Sequence, residues 1–252
     1  MSFNIETYLN SLPKNTKIID ISNKNINYIP SLTRFNRLEI LNCSDNQLTY
    51  IPPLNENLKK LYCGKNQLTS IPPLNEKLEV LSSNFNQLSY IPTLNENLLT
   101  LSVSDNQLTS LPYPNQKLQK LYFSNNYVTI FPTVHFLSNL QEISGSNNQL
   151  QNLPPLNEKL EILYINNNQL TSFPPLCSLI NLHTLSCNNN PISEIIDTDD
   201  LSLVKLKINI LNNFRHLYYC LKFKKQFHQF LWSIREKTYY KTLSSQLFNK
   251  TY

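Results

Sequence analysis

The sequence predicts an α/β-type repeat solenoid with a concave parallel β-sheet, an extended convex side and helical caps. Two observations predict this fold class. One phrase of roughly 20 residues recurs along most of the chain, and within each copy apolar and polar residues alternate as in a short strand. Stacked repeats bury a continuous interior, so a chain of 252 residues needs no single round core.

The repeated phrase is clearest in LKKLYCGKNQLTSIPPLNE (58–76), which returns at 78–96, 98–116 and 160–178. Its skeleton is L-x-x-L-x-[apolar or small]-x-x-N-x-L, followed by an apolar residue and proline. An earlier unit at 16–26 fits with Lys24 in the asparagine slot, which gives nine repeats over 16–195. The asparagine recurs every 20 or 22 residues, at Asn46, Asn66, Asn86, Asn106, Asn126, Asn148, Asn168 and Asn190.

This skeleton resembles that of the leucine-rich repeat family, which implies a horseshoe fold and a binding role without catalysis. The short units with IPPLNE-type segments are similar to the repeats of effectors secreted by enteric bacterial pathogens. The whole chain resembles leucine-rich repeat proteins of amoeba-infecting giant DNA viruses (mimivirus-like), which implies a virus-encoded protein in the host cytoplasm. The tail segment LWSIREK carries part of this resemblance, because it is similar to the family phrase L-W-x-x-[VI]-R-E-x-K, although its spacing is shorter and TYYKTL replaces the Tyr-His-Pro step that usually follows. The matching residues are Leu231, Trp232, Ile234, Arg235, Glu236 and Lys237.

Alternation along each predicted strand assigns the repeat positions to two faces. In the third repeat, Leu61 and Cys63 point inward, whereas Lys60 and Tyr62 point outward. Each repeated asparagine follows the strand, where its side chain can satisfy backbone groups of its own and the neighbouring coil. We therefore expect an asparagine ladder, with proline holding an extended return on the convex side.

One inward column varies in size, and Phe123 lies one coil before Gly145 in it. A large side chain beside a missing one predicts volume compensation in the core. The full column is Ile21, Cys43, Cys63, Ser83, Val103, Phe123, Gly145, Ile165 and Cys187.

The two ends differ in charge. Residues 1–200 carry 12 Lys and Arg against 16 Asp and Glu, whereas 201–252 carry 10 against one, so the net charges are −4 and +9. Residues 1–15 are interpreted as an N-terminal helical cap, and 196–252 as a basic, aromatic helical cap or tail. Asp199 and Asp200 favour a helix start near 201, and Asn212–Asn213 predict a break before a second helix.

The concave strand face is the expected binding surface, and its expected partner is a protein. Tyrosine among serine and asparagine favours adaptable binding, because rigid aromatics supply contact area at low entropic cost. The alternative is that serine and asparagine reflect biased composition and that tyrosine only fills a pleated surface. The candidate partner-binding residues are Tyr62, Tyr122, Tyr164, Lys60, Lys120, Phe85, Asn42, Ser82 and Ser102.

A rival hypothesis assigns function to the tail, where lysines alternate with Tyr218, Tyr219, Phe223 and Trp232. Such a pattern fits nucleic acid or an anionic membrane, with the repeats as a rigid spacer, but also a cap helix with a solvated basic face. A structural role in a virion is a third possibility.

Enzyme chemistry is not expected. The sequence has two glycines and neither a P-loop, HExxH nor GxSxG, and the roughly 55 residues after the array are too few for the ubiquitin-ligase domain of the similar bacterial effectors. No cofactor, metal or small-molecule substrate is predicted, since the cysteines are not clustered as zinc ligands are. Buried free thiols are expected, with a Cys43–Cys63 disulfide as the alternative under oxidation. No signal peptide or membrane span is predicted, which favours a cytoplasmic location.

Overall fold

The computed structural model describes residues 3–132, 138–176, 178–196, 198, 200–215, 217–219 and 222–224. Over these residues it has nine short strands and two bounded helices, α1 (Ile5–Ser11) and α2 (Ser193–Ile196). The strands are β1 (Ile18–Asp20), β2 (Ile40–Asn42), β3 (Lys60–Tyr62), β4 (Val80–Ser82), β5 (Thr100–Ser102), β6 (Lys120–Tyr122), β7 (Glu142–Ser144), β8 (Ile162–Tyr164) and β9 (Thr184–Ser186).

All the described strands form one parallel sheet whose order in space follows the chain, from β1 to β9. Each repeat contributes one strand, and equivalent residues pair directly, as in Leu61 with Leu81. The middle residue of a strand points inward, and those of β1 to β8 are almost fully buried. The parallel-sheet solenoid predicted from the repeat is therefore confirmed.

The repeated asparagines connect each coil to the one before it. The Oδ1 of Asn106 accepts from the backbone N–H of Leu88 at 3.0 Å, and its Nδ2 donates to the carbonyls of Ser83 and Val103. Equivalent bonds recur at the other positions of the ladder, including Asn190 at its end. These side chains replace backbone partners that the turning chain cannot supply.

A second row of asparagines, in the LNE part of the repeat, makes similar connections on the return segment. The Asn115 Nδ2 donates to the carbonyls of Asn95 (2.6 Å) and Leu98 (3.0 Å). Asn75 and Asn95 repeat this arrangement with their own preceding coils. The sequence analysis did not single out this row, although its 20-residue spacing is equally regular.

Gly145 and Phe123 share one space in the core. A Cβ atom placed on Gly145 would lie 2.2 Å from the Phe123 Cζ, so the ring occupies the volume that a side chain there would need. Phe123 is fully buried and its ring packs edge-on against Phe131, with centroids 5.8 Å apart. This geometry agrees with the predicted volume compensation.

The first coil is covered by α1. Ile5 and Leu9 are buried on the inner side of this helix. Arg34, from the first return segment, donates to the carbonyls of Leu9 (3.1 Å) and Leu12 (2.6 Å). These carbonyls lie where a helix runs out of internal partners, so the guanidinium completes the helix end and ties it to the array.

The last coil is followed by helical residues 201–206, which belong to the same compact unit, Met1–Leu206. The Asp200 carboxylate accepts from the first backbone N–H groups of this helix, as expected of an N-cap. The Lys205 Nζ donates to the carbonyls of Leu179 (2.9 Å) and Leu182 (3.1 Å) in the last repeat. The predicted helical cap in the C-terminal region is confirmed.

The second compact unit is Lys207–Tyr252, of which 207–215, 217–219 and 222–224 are described and helical. The break predicted at Asn212–Asn213 is wrong, because both residues are helical. Asparagine is only a few tenths of a kcal/mol poorer than average in a helix, which is too little to end one. Asp199 and most of the basic tail, including the LWSIREK segment, lie outside the described residues.

Candidate binding surface

The concave surface is built from the first and third residues of each strand, which point away from the core. Because the strands pair without offset, the third residues form one column along the sheet. Neighbouring strands lie about 4.8 Å apart, so Tyr62 and Tyr122 are roughly 14 Å apart and Tyr122 and Tyr164 roughly 10 Å apart. The three tyrosines thus share a column without touching one another.

Tyr122 and Lys120 are both bound to Glu142 on the next strand. The Lys120 Nζ lies 2.6 Å from one Glu142 oxygen, and the Tyr122 hydroxyl donates to the other. Partial burial, together with the charge of Glu142, raises the pKa of Tyr122 well above its usual range. Burial alone would raise the pKa of Glu142, but the hydrogen bonds from Lys120 and Tyr122 outweigh it, so that pKa is lowered. Two candidate binding residues are therefore held within the sheet by a third that the sequence analysis did not name.

Phe85 lies in a row with left-handed backbone just beyond the strand ends. Its φ angle is 56°, and its side chain is 53% exposed. The other members are polar and, apart from Lys65, are asparagine or aspartate, which tolerate this backbone best. They are Asn23, Asp45, Lys65, Asp105, Asn125, Asn147, Asn167 and Asn189. A non-glycine residue pays about 1–2 kcal/mol in this region, and Phe85 exposes an apolar ring as well.

The neighbours of Phe85 in this row pair with one another. The Asn125 Nδ2 donates to the Asp105 Oδ1 at 2.7 Å, and the same bond continues through the three later asparagines. On the other side, the Lys65 Nζ lies 3.6 Å from an Asp45 oxygen. The ring of Phe85 has no polar atom to join either chain, so the row is interrupted there.

The remaining candidate residues lie on the same face with different degrees of exposure. Tyr164 is 40% exposed, whereas Tyr62 and Lys60 are half-buried. The polar candidates are also half-buried, and two of them are held by neighbouring strands. The Asn42 Nδ2 donates to Asp20 at 3.4 Å, and the Ser102 hydroxyl donates to Asn84 at 2.8 Å. Ser82 lies between Tyr62 and Ser102 in the column.

Charged residues just before the strands form a row of ion pairs along one edge of the sheet, and the sequence analysis missed this row. Glu39 lies 3.0 Å from the Lys17 Nζ and 2.9 Å from the Lys59 Nζ. Hydrogen bonds from Lys59 and Lys17 lower the pKa of Glu39, and the same contact raises the pKa of Lys59. The signal that would have found it is the repeat length, since residues 20 or 22 apart are lateral neighbours.

Comparison with known proteins shows similar repeats and a similar fold in other proteins. Residues 158–217 match the family model described as Leucine Rich repeats (2 copies). The leucine-rich effector YopM of Yersinia pestis is 32% identical over 69% of this chain and 49% of its own, with a TM-score of 0.66. The chain therefore has the fold of leucine-rich repeat proteins. This solenoid of parallel strands matches those of solved leucine-rich repeat structures.

Two further bacterial structures are similar to this chain. The leucine-rich repeat domain of a Shigella effector is 27% identical over 77% of this chain and 80% of its own, with a TM-score of 0.54. The functional domain of InlJ from Listeria monocytogenes, described as including a cysteine ladder, is 26% identical over 75% of this chain and 42% of its own, with a TM-score of 0.66. The chain spans about half the length of YopM or InlJ. No curated protein sequence matches it significantly.

The interior of the repeat array also holds the described cysteines. Cys43, Cys63 and Cys187 are buried in the varying inward column, and Cys43 and Cys63 are free thiols on adjacent coils. Burial raises the pKa of Cys63 to about 12, and burial together with the adjacent Cys63 raises that of Cys43. Such thiols stay protonated at neutral pH and are poor nucleophiles. Cys177 and Cys220 lie outside the described residues.

Within the described residues, no cluster of three His, Cys, Asp or Glu side chains is placed to hold a metal ion. In the same part of the chain, helices are too short or too polar to cross a bilayer.

Proposed function

We propose that the chain is a protein-interaction scaffold that binds a partner protein on its concave face, with Phe85, Tyr62 and Tyr164 as the main contacts. Leucine-rich repeats are scaffolds typical of protein–protein interaction and are generally without enzymatic activity. The predicted anchors Tyr122 and Lys120 take a lesser part, because Glu142 already binds both side chains.

Phe85 is the observation that carries this proposal. Its backbone is strained and about half of its side chain is exposed, so phenylalanine stabilises the fold less than asparagine would at this position. Backbone strain of this kind clusters at functional sites. An exposed aromatic ring on a rigid sheet is the kind of residue that fills an apolar pocket on a partner and dominates the binding energy.

The experiment is capture of partners from amoeba lysate by the full-length protein and by two triple variants. The first variant replaces Tyr62, Phe85 and Tyr164 with alanine, and we expect it to lose the captured protein. The matched control replaces Tyr28, Tyr50 and Tyr90, which are 40–55% exposed and lie outside the strand column. Partners retained by the first variant, or lost equally by both, would contradict the proposal.

A viral origin and a place in the host cytoplasm rest on the resemblance of the sequence to giant-virus repeat proteins. We infer a factor that acts on a host protein in the infected cell. Mass spectrometry of purified particles and of infected-cell cytoplasm tests this inference. Enrichment in the particles would instead indicate a virion component.

The second candidate function is attachment to nucleic acid or an anionic membrane through the basic tail. The described part of the tail supports it, since Tyr218, Tyr219 and Phe223 are 53–62% exposed next to two lysines. The double substitution of Lys222 and Lys224 by glutamate tests it. Salt-sensitive retention on heparin that is unchanged in this variant would argue against these residues as the contact.

A further inference from the structure

A second pattern, with a period of two coils, runs along the edge where the chain enters the strands. The residue three positions before each strand alternates between a cation and asparagine from β2 to β9. The series, called here the entry row, is Arg37, Asn57, Lys77, Asn97, Lys117, Asn139, Lys159 and Asn181. The fold requires no such alternation, because all eight side chains occupy equivalent positions in equivalent repeats.

The asparagines of the entry row orient its lysines. The Asn97 Nδ2 donates to the carbonyl of Glu76 in the preceding coil at 2.8 Å, which fixes the amide. The Oδ1 of Asn97 then accepts from the Lys117 Nζ at 2.6 Å. Asn139 holds Lys159 in the same way, also at 2.6 Å, and Asn57 holds Lys77. Ammonium groups that are normally mobile are therefore held at every second coil.

The first part of the entry row borders a cleft made of two adjoining hollows of about 380 and 400 Å³. The two hollows share Lys59 and Lys77, and Lys117 lies at the far end. Five cations and two carboxylates line them, namely Lys17, Arg37, Lys59, Lys77 and Lys117 with Glu39 and Glu79. Because Glu39 is paired with Lys17 and Lys59, Glu79 is the one remaining carboxylate among the lining residues to offset the three cations of the entry row, Arg37, Lys77 and Lys117.

We propose that this cleft binds an acidic, extended peptide segment of a protein partner. Lysines two coils apart are separated by roughly 10 Å, twice the strand spacing. A polyproline II peptide advances about 9.3 Å in three residues and returns to the same side. Carboxylates on every third residue of such a peptide reach successive cations of the entry row. This site is separate from the Phe85 and tyrosine surface and does not depend on it.

The charge of the whole array selects a short acidic peptide over a nucleic acid. Residues 1–200 have a net charge of −4, so a long polyanion is repelled by the surface around the cleft. Single-stranded nucleic acid also binds through aromatic side chains that stack with its bases. The lining of the two hollows contains no aromatic residue among the described ones. A short peptide contacts only the cations of the cleft, so the net negative charge of the array opposes its binding less.

The test uses the full-length protein and a fluorescein-labelled peptide of three Asp-Pro-Pro units, followed by fluorescence anisotropy at low salt. The double variant Lys77→Ala with Lys117→Ala is compared with a charge-matched control, Lys14→Ala with Lys65→Ala, whose residues lie outside the cleft. Two exposed charge contacts predict that the first variant binds about three- to tenfold more weakly than the control. Equal affinities for the two variants would overturn the proposal, because binding would then come from elsewhere, such as the basic tail.

Spacing and ligand class are tested with two further probes. A peptide of the same composition with its three aspartates adjacent is expected to bind more weakly, and the preference is expected to shrink in Asn97→Ala, which releases Lys117. A labelled deoxythymidine 20-mer is expected to be insensitive to the cleft lysines. Equal binding of both peptides, or tighter binding of the oligonucleotide through Lys77 and Lys117, would overturn the proposal.

Discussion

The inward and outward faces of the same strands follow the repeat to very different degrees. The middle residues of β1 to β8 are leucine or isoleucine and are at most 2% exposed, so one rule describes this face. The column that points outward contains aspartate, asparagine, serine and tyrosine. Both faces lie on the same backbone, but only the inner face is close-packed against the coils on both sides.

This difference shows where specific information lies in a stacked fold. A core position must match its neighbours in volume, because protein interiors are close-packed. An outward position is free to vary, so a residue that lowers stability there indicates another role. Phe85 is such a residue on the outer face, whereas Gly145 departs from the repeat on the inner face and is compensated by Phe123.

The largest effect is expected for Gly145→Val in the core. The new Cβ would lie 2.2 Å from the Phe123 ring, and overpacking of this kind destabilises by about 3 kcal/mol. Urea denaturation measures the free energy of unfolding. The double variant Gly145→Val with Phe123→Val is expected to recover part of the loss. Unchanged or improved stability of the single variant would show that the two sites do not share their volume.

A smaller loss of about 2 kcal/mol is expected for Asn106→Ala in the ladder. Asn106 is 7% exposed, and its removal leaves the Leu88 amide without its acceptor and takes one of two asparagine donors from the carbonyls of Ser83 and Val103. The matched control is Asn152→Ala, an exposed asparagine for which we expect a change within 0.5 kcal/mol. Equal changes in the free energy of unfolding for both variants, measured by urea denaturation, would show that the ladder does not stabilise the fold.

The sequence predicted which residues fill the inner face. For the outer face it predicted which positions are exposed, but not the contacts that their side chains make. The inward positions and the ladder asparagines follow from the repeat, because one rule covers all coils. The ties from Glu142 to Lys120 and Tyr122 depend on which side chains of neighbouring coils come into contact, and the alternation along a strand does not predict such contacts. The left-handed backbone at Phe85 could not be seen in its sequence, since phenylalanine is rare there.

At Phe85, stability and partner binding are predicted to change in opposite directions. Phe85→Asn is expected to stabilise the protein by about 1 kcal/mol, because asparagine tolerates the positive φ angle and meets the polar row. The same variant is expected to bind the captured partner more weakly. The reverse change in the same row, Asn125→Phe, is expected to destabilise by a similar amount. Thermal unfolding measures the stability of both variants, and capture of the partner measures binding. A loss of stability in Phe85→Asn would show that the ring supports the fold.

The smallest effect is expected for Glu142→Gln on the outer face. The lowered pKa of Glu142 means that its ion pair stabilises the fold above the ordinary pKa of 4.5, and this contribution is lost as the pH falls through the lower folded value. Since Lys120 and Glu142 are partly exposed, we expect a loss of about 0.5 kcal/mol at pH 7 and a smaller difference at pH 3.

A second readout of Glu142→Gln separates charge from packing. Burial keeps the pKa of Tyr122 raised in this variant, but loss of the neighbouring charge is expected to lower it relative to the unsubstituted protein. Absorbance of tyrosinate during alkaline titration measures the shift, with Tyr122→Phe identifying the signal. An unchanged pKa would mean that Tyr122 is held by burial alone, which would leave its hydroxyl available to a partner on the concave face.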